Sequence, residues 1–129
     1  MAAITQHFAQ AFDPTNGLNI LRIICGLFLV PHMVTKASNL SFTYEIYRQW
    51  RLYPPKAWVH ACIFIEFIGS IGLVFAIYTR YVAALVAVFL FVATWAAWRV
   101  SDGKWLWNIG GCEYPFFWAI CCVVVAMHG

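Results

Sequence analysis

Charge is what this sequence has least of. Only 10% of its 129 residues are charged, with five Asp and Glu against eight Lys and Arg, whereas a soluble domain carries about 25%. Together with an apolar content of 64%, this scarcity excludes an ordinary soluble fold and predicts an integral membrane protein. The few basic residues are scattered, which argues against nucleic acid as a partner and makes the lipid bilayer the first expected one.

Cysteine motifs are also missing. The five cysteines form no C-x-x-C pair, and their spacing does not match a four-ligand zinc site. We therefore expect no metal site and no direct dithiol chemistry, and we interpret the cysteines as small apolar packing residues. The chain also carries no visible haem or flavin motif, so no covalently bound cofactor is expected.

Long apolar stretches are abundant and define the expected architecture. At about 20 residues each, they predict a single domain over residues 1–129, an all-α, antiparallel four-helix bundle in the membrane. The first apolar run contains Arg22 and follows no basic n-region, so it predicts a retained span rather than a cleaved signal. Residues 1–17 are expected to form an interfacial segment, and the loop after the first span to contain a short surface helix. The spans are predicted at about 18–38, 57–78, 82–98 and 112–128.

Basic residues are distributed unevenly between the two sides of this bundle. The loops between spans one and two and between spans three and four hold six of them, against two on the other side. By the positive-inside rule, both longer loops are predicted to be cytoplasmic and both termini outside, in a membrane of the bacterial inner or plasma type. The six are Lys36, Arg48, Arg51, Lys56, Arg99 and Lys104, and the two are Arg22 and Arg80.

The ionisable residues of span one share one face. Arg22, Cys25, Leu29, His32 and Lys36 are separated by 3, 4, 3 and 4 residues, which places them on one narrow stripe of a helix. Polar groups aligned in this way face other helices or a wet cavity rather than lipid. The stripe therefore predicts one wall of a polar pocket.

Glu66 is the most informative single residue. It lies about 14 Å below the loop surface at 1.5 Å per residue, near the middle of a ~30 Å hydrocarbon core. A charge at that depth costs about 2.5–3.5 kcal/mol even on lenient insertion scales, so Glu66 is expected to be neutral or paired, and its expected partner is His32 or Lys36. Glu66, His32 and Lys36 are the candidate catalytic residues, and a buried clamp without chemistry is the alternative.

A third polar cluster surrounds the mouth of span four, on the same side as Lys36. Gly110 and Gly111 allow close backbone approach there, and the pair Gly69 and Gly72 allows close packing of span two. The candidate ligand-binding residues of the pocket are Arg22, Arg99, Asn108, Glu113 and Tyr114.

Three segments together resemble the DoxX/DoxD family of small four-helix membrane proteins. They are LRIICGLFLVPHMVTK, IEFIGSIGLVFAIYTR and GGCEYPFF, and the match covers nearly all of the chain after residue 17. One departure is Met33, where many members carry glycine. Gly26 joins Gly69 and Gly72 as an expected helix-packing residue through this resemblance. The family pattern implies Arg22, Gly26, His32, Lys36, Glu66, Gly110, Gly111 and Glu113 as its characteristic positions.

The resemblance implies an oxidoreductase-linked role, since named members belong to thiosulfate:quinone oxidoreductase. Our leading hypothesis is a membrane subunit of a quinone-linked oxidoreductase or respiratory-type, energy-transducing complex. Its intramembrane pocket would bind a quinone or a small anion, with His32 or Lys36 on the ligand and Glu66 handling the proton. Quinone is the one expected cofactor, and catalysis would require other membrane or redox subunits.

Two other classes of function stay open. The chain could be a structural or assembly subunit packed against a larger membrane complex, with no chemistry of its own. A small proton-coupled transporter is less favoured. Four-helix multidrug exporters use a carboxylate in span one, whereas this chain has basic groups there and its glutamate in span two.

Overall fold

The protein is all-helical, as the sequence predicted. The computed structural model describes residues 2–129 and shows seven α-helices, one 3-10 turn (Trp107–Ile109) and no strand in that range. Met1, the first residue of the predicted interfacial segment, lies outside the described residues. The helices are α1 (Ala2–Ala11), α2 (Gly17–Leu27), α3 (Leu29–Ser38), α4 (Leu40–Gln49), α5 (Pro55–Val74), α6 (Thr79–Val100) and α7 (Glu113–His128).

Three helical segments of the described chain are long and apolar enough to cross a membrane. They are Gly17–Ser38, which combines α2 with α3, and the single helices α5 and α6, with 22, 20 and 22 residues. The fourth predicted span corresponds to α7, whose 16 residues fall short of the ~20 that usually cross the hydrocarbon core. Length, composition and helix content thus describe an integral membrane protein.

The first span is interrupted at Phe28, where α2 ends and α3 begins. Pro31 explains the position of this break. A proline inside a continuous helix would leave the carbonyl of Leu27 without its donor, whereas in the first turn of α3 its missing N–H costs nothing. At the other end, the side chain of Asn16 caps α2 by accepting a hydrogen bond from the Leu18 amide at 3.0 Å.

Helix α5 is the centre of the packing, because it contacts α2, α3, α4 and α6, while α7 packs along α6 and α2. Glycines allow the closest approaches. A Cβ atom added to Gly26 would lie 2.9 Å from Leu73 Cβ, and one added to Gly69 would lie 2.7 Å from Val86 Cγ2. A Cβ atom added to Gly72 would lie 2.9 Å from Val82 Cγ1. Helices α5 and α6 are therefore held tightly together at the end where residues 75–78 join them.

Gly26→Ala is expected to lower the free energy of unfolding by about 1–3 kcal/mol, since overpacking forces neighbouring groups to shift. The added Cβ would also lie 3.1 Å from the backbone nitrogen of Val74, which cannot move aside as a side chain does. Gly17→Ala is the matched control, because nothing lies within 4 Å of that position. Unfolding in mixed detergent micelles measures both variants, and equal stabilities would contradict the close packing of α2 on α5.

Candidate functional site

An ion pair connects α3 with α5 in the interior of the chain. Lys36 Nζ lies 2.7 Å from Glu66 Oε1, and the side chain of Glu66 is only 2% exposed, against 18% for Lys36. The ammonium group of Lys36 also donates to the carbonyl of His32 at 3.4 Å. Of the two partners that the sequence allowed for Glu66, the structure therefore joins it to Lys36.

Two buried side-chain polar atoms have no hydrogen-bond partner among the described residues. They are Glu66 Oε2 and Trp118 Nε1, and both side chains line the same cavity. A buried polar group left unpaired costs about 1–3 kcal/mol, so such atoms are rare and call for a reason. Their occurrence together in one cavity is typical of a binding site.

Aromatic rings from α7 form another part of the cavity wall. Tyr114 and Trp118 lie one turn apart on that helix and both contact His32, with ring centroids 6.4 and 5.4 Å from its imidazole. His32 itself is exposed. It packs against these rings and makes no hydrogen bond to Glu66, so its place is at the rim of the site.

The cavity has a volume of about 930 Å³ and lies among α3, α4, α5, α6 and α7. This volume is at the upper end of those that hold small molecules. Most of the lining is apolar, with the Lys36–Glu66 pair as its charged element. On α6 the lining extends to Leu85, Val88 and Val92, whose side chains are also exposed on the outer surface of the helix. The cavity thus has one ion pair in a mostly apolar lining, and its α6 side reaches the outer surface of the chain.

Helix α4, the short surface helix expected from the sequence, covers the cavity. Tyr47 lines it and donates from its hydroxyl to Cys62 Sγ at 3.5 Å. Burial raises the pKa of the Tyr47 phenol above its usual range, so this hydroxyl stays protonated and remains a donor. At the end of α4, Arg99 of α6 donates to the carbonyl of Trp50 and stacks over the Trp95 ring, 4.8 Å from its centroid. These contacts fix α4 between α5 and α6.

Arg22 lies at the other end of the first span, outside this cavity. Its guanidinium donates to the carbonyls of Leu73 at 2.7 Å and Val74 at 3.2 Å, and to that of Ala11. It is about 21 Å from Lys36 along the helix, at 1.5 Å per residue, and lines a separate pocket of about 310 Å³. Although Arg22 shares a stripe with Lys36, its observed contacts join the ends of α1 and α5.

Of the other predicted pocket residues, one lines the cavity and three do not. Tyr114 lines the cavity, whereas Arg99, Asn108 and Glu113 are placed outside its lining. Asn108 is exposed in the 3-10 turn. Glu113 begins α7, where its negative charge interacts favourably with the helix dipole.

Gly110 and Gly111 do line the cavity. Gly110 has a φ of +83°, a conformation that suits glycine. Gly111 packs directly against the backbone of Trp105 and Leu106, and its amide donates to the Leu106 carbonyl at 2.9 Å. The glycine pair therefore folds the loop before α7 back on itself at the cavity mouth.

Trp118 is the site residue that the sequence analysis missed. A signal was available, because it is the one tryptophan of the seven that lies away from the two longer loops. It also follows Tyr114 by four residues, which places both rings on one face of a helix. Among residues 2–129, no group of three His, Cys, Asp or Glu side chains is placed to hold a metal ion.

A family model described as DoxX matches residues 17–99 of the chain. The match extends from α2 through nearly all of α6, and so includes both members of the Lys36–Glu66 pair, but it ends before α7. Comparison with curated proteins and with solved structures gave no match.

Proposed function

This chain belongs to the DoxX family of membrane proteins, and we propose that it is the membrane subunit of a quinone-linked oxidoreductase. The observation that carries the proposal is the buried, unpaired Oε2 of Glu66 in a large, mostly apolar cavity. A ring hydroxyl, which the reduced form of a quinone carries, would donate to this atom, and the hydrocarbon chain of the ligand would fill the apolar remainder. A quinone that cycles through its reduced form has this combination of groups.

A quinone fits this cavity better than a small anion does. The positive charge of Lys36 is already neutralised by Glu66 at 2.7 Å, so the pair offers no net charge to an anion. An anion in a largely apolar lining would also lose its hydration without compensation. The apolar lining instead favours a ligand that carries most of its own surface as hydrocarbon.

The residues have distinct roles in this proposal. Lys36 orients the Glu66 carboxylate through Oε1, which leaves Oε2 free to exchange a proton with a headgroup oxygen. His32, exposed at the rim, would take up the proton on its way to the surface. Bound quinone would supply two-electron redox chemistry, and a partner subunit would exchange the electrons with it.

The same proposal includes the finer architecture. Helix α7 packs along α6 and α2 and would serve as the fourth helix of an antiparallel bundle. With both longer loops in the cytoplasm, the His32 rim and the covering helix α4 would lie toward that side. The proton exchanged at Glu66 would then come from the cytoplasm.

Glu66→Gln is expected to lower quinone-dependent turnover about 100-fold, and His32→Ala less, since a positioned acid or base contributes about 10²–10⁴. Glu45→Gln is the matched control, because Glu45 is half exposed in a surface ion pair with Arg48. The measurement is electron transfer to a quinone per assembled complex in native membranes. Unchanged turnover in both cavity variants, with normal assembly, would overturn the catalytic role.

A structural or assembly subunit is the second candidate, and the Lys36–Glu66 ion pair itself favours it. A single buried pair between α3 and α5 would fix the helix register without any chemistry. This candidate predicts that Glu66→Gln lowers the abundance of the complex while turnover per assembled complex stays constant. The same experiment therefore separates the two functions.

A further inference from the structure

We infer that the cavity binds the reduced, hydroxyl-bearing form of its aromatic headgroup more tightly than the oxidised, carbonyl-bearing form. This inference rests on the proposed function and adds which redox form of the ligand binds more tightly. It follows from the chemical nature of the two buried atoms without partners, Glu66 Oε2 and Trp118 Nε1.

The two atoms require opposite hydrogen-bonding groups from a ligand. An indole N–H can only donate a hydrogen bond, so Trp118 requires an acceptor. Glu66 is held by the Lys36 ammonium through Oε1, and an ionised carboxylate can only accept, so its Oε2 requires a donor. A ligand that satisfies both must therefore present a hydrogen-bond donor and a hydrogen-bond acceptor.

The two redox forms of a quinone differ in this respect. The oxidised ring carries carbonyl oxygens, which only accept, and places lone pairs against Oε2 of Glu66. The reduced ring carries hydroxyl groups, which donate as well as accept. One hydroxyl can donate to Oε2 in a short, charge-assisted hydrogen bond, while another oxygen of the ring accepts from Trp118.

Glu66 and Trp118 thus have different effects on binding. Trp118 donates to an oxygen that accepts in either redox form, so it contributes to the affinity of both. Glu66 distinguishes the forms, because only the reduced one offers a donor. By linkage, tighter binding of the reduced form makes the bound quinone a stronger oxidant than the same quinone in the free membrane.

Equilibrium binding of three synthetic probes tests this inference, with the full-length protein in lipid nanodiscs and empty nanodiscs as the partition control. The probes are a decyl-substituted benzoquinone, its hydroquinone kept reduced under anaerobic conditions, and the dimethyl ether of that hydroquinone. The wild-type protein is expected to bind the hydroquinone about tenfold more tightly than the quinone, the range of a hydrogen bond to a charged group. The ether lacks the donor and should bind no better than the quinone.

Glu66→Gln gives the sharpest result, because it replaces an acceptor with a donor at one position. Lys36 can only donate, so it retains the amide oxygen and directs the amide nitrogen to the position of Oε2. Because an amide N–H can donate to a carbonyl or to a hydroxyl oxygen, the preference for the hydroquinone is then expected to be lost. Glu45→Gln, the same change on the exposed surface of α4, should leave the preference at its wild-type value.

Trp118→Phe should weaken the binding of both probes about fivefold, the scale of one neutral hydrogen bond, without changing their ratio. Trp107→Phe, at an exposed position, controls for the loss of a tryptophan.

The outcomes separate the inference from the proposed function. If no probe binds the wild-type protein above the partition control, both the proposed function and the inference fail. If quinone and hydroquinone bind the wild type equally, or if Glu66→Gln folds and keeps the preference, the inference fails and the quinone site stands. Should Glu66→Gln not fold, the three probes on the wild-type protein still decide.

Discussion

Lys36→Met is expected to lower the free energy of unfolding by about 3–5 kcal/mol, the cost of leaving a buried charge without its partner. Glu66 is 2% exposed, and its one hydrogen bond to a described side chain is the one from Lys36. Methionine retains the length and apolar stem of lysine, so the change removes the charge and little of the packing. Reversible unfolding in mixed micelles measures the effect.

Restoring that stability by a second apolar substitution distinguishes lost charge pairing from lost packing. Glu66→Leu in the Lys36→Met background should recover most of the lost stability, because a buried ion pair is often equalled by an apolar pair. Lys104→Met, at an exposed position, is the control for removing a lysine. If Lys36→Met unfolds like the control, the ion pair contributes nothing to the fold.

Arg22→Met is expected to cost about 3 kcal/mol or more, since hydrogen bonds to a charged group contribute about 1.5–3 kcal/mol each. The substitution leaves the carbonyls of Leu73, Val74 and Ala11 without their donor. Because these carbonyls lie at the ends of α5 and α1, the docking of α1 should be lost first. Faster proteolysis near residues 11–17 would report that loss.

Arg22→Met also tests whether the two ends of the first span belong to different sites. Arg22 lies outside the large cavity, so the folded Arg22→Met protein should bind the quinone probe as the wild type does. Arg80→Met removes an exposed arginine from the start of α6 as the control. Weakened probe binding by the folded protein, with unchanged binding by the control, would show that Arg22 belongs to the ligand site, as the sequence predicted.

Helical periodicity predicts part of the site because the rise per residue is constant. It placed Glu66 deep in the second span and gave His32 and Lys36 as its candidate partners, and the pair with Lys36 is the one that forms. It could not choose between His32 and Lys36, which lie one turn apart on the same face. That choice depends on how far α3 extends beside α5, which is a property of packing.

The same periodicity explains why Arg22 was assigned to the pocket. A shared stripe gives the direction of a side chain around the helix axis but not its position along it. Trp118 was missed for a different reason. Helix α7 is apolar around most of its circumference, so the spacing of Trp118 from Tyr114 was the one signal of the face that meets α3.

The apolar side of the cavity, where Leu85, Val88 and Val92 belong both to its lining and to the exposed surface of α6, affects how any ligand is supplied. A hydrophobic molecule dissolved in the bilayer can reach this side by lateral diffusion, without first dissolving in water. Its occupancy then depends on its mole fraction among the lipids and not on its aqueous concentration. Diluting the membrane with additional lipid should therefore empty the cavity even when the total amounts of protein and ligand are unchanged.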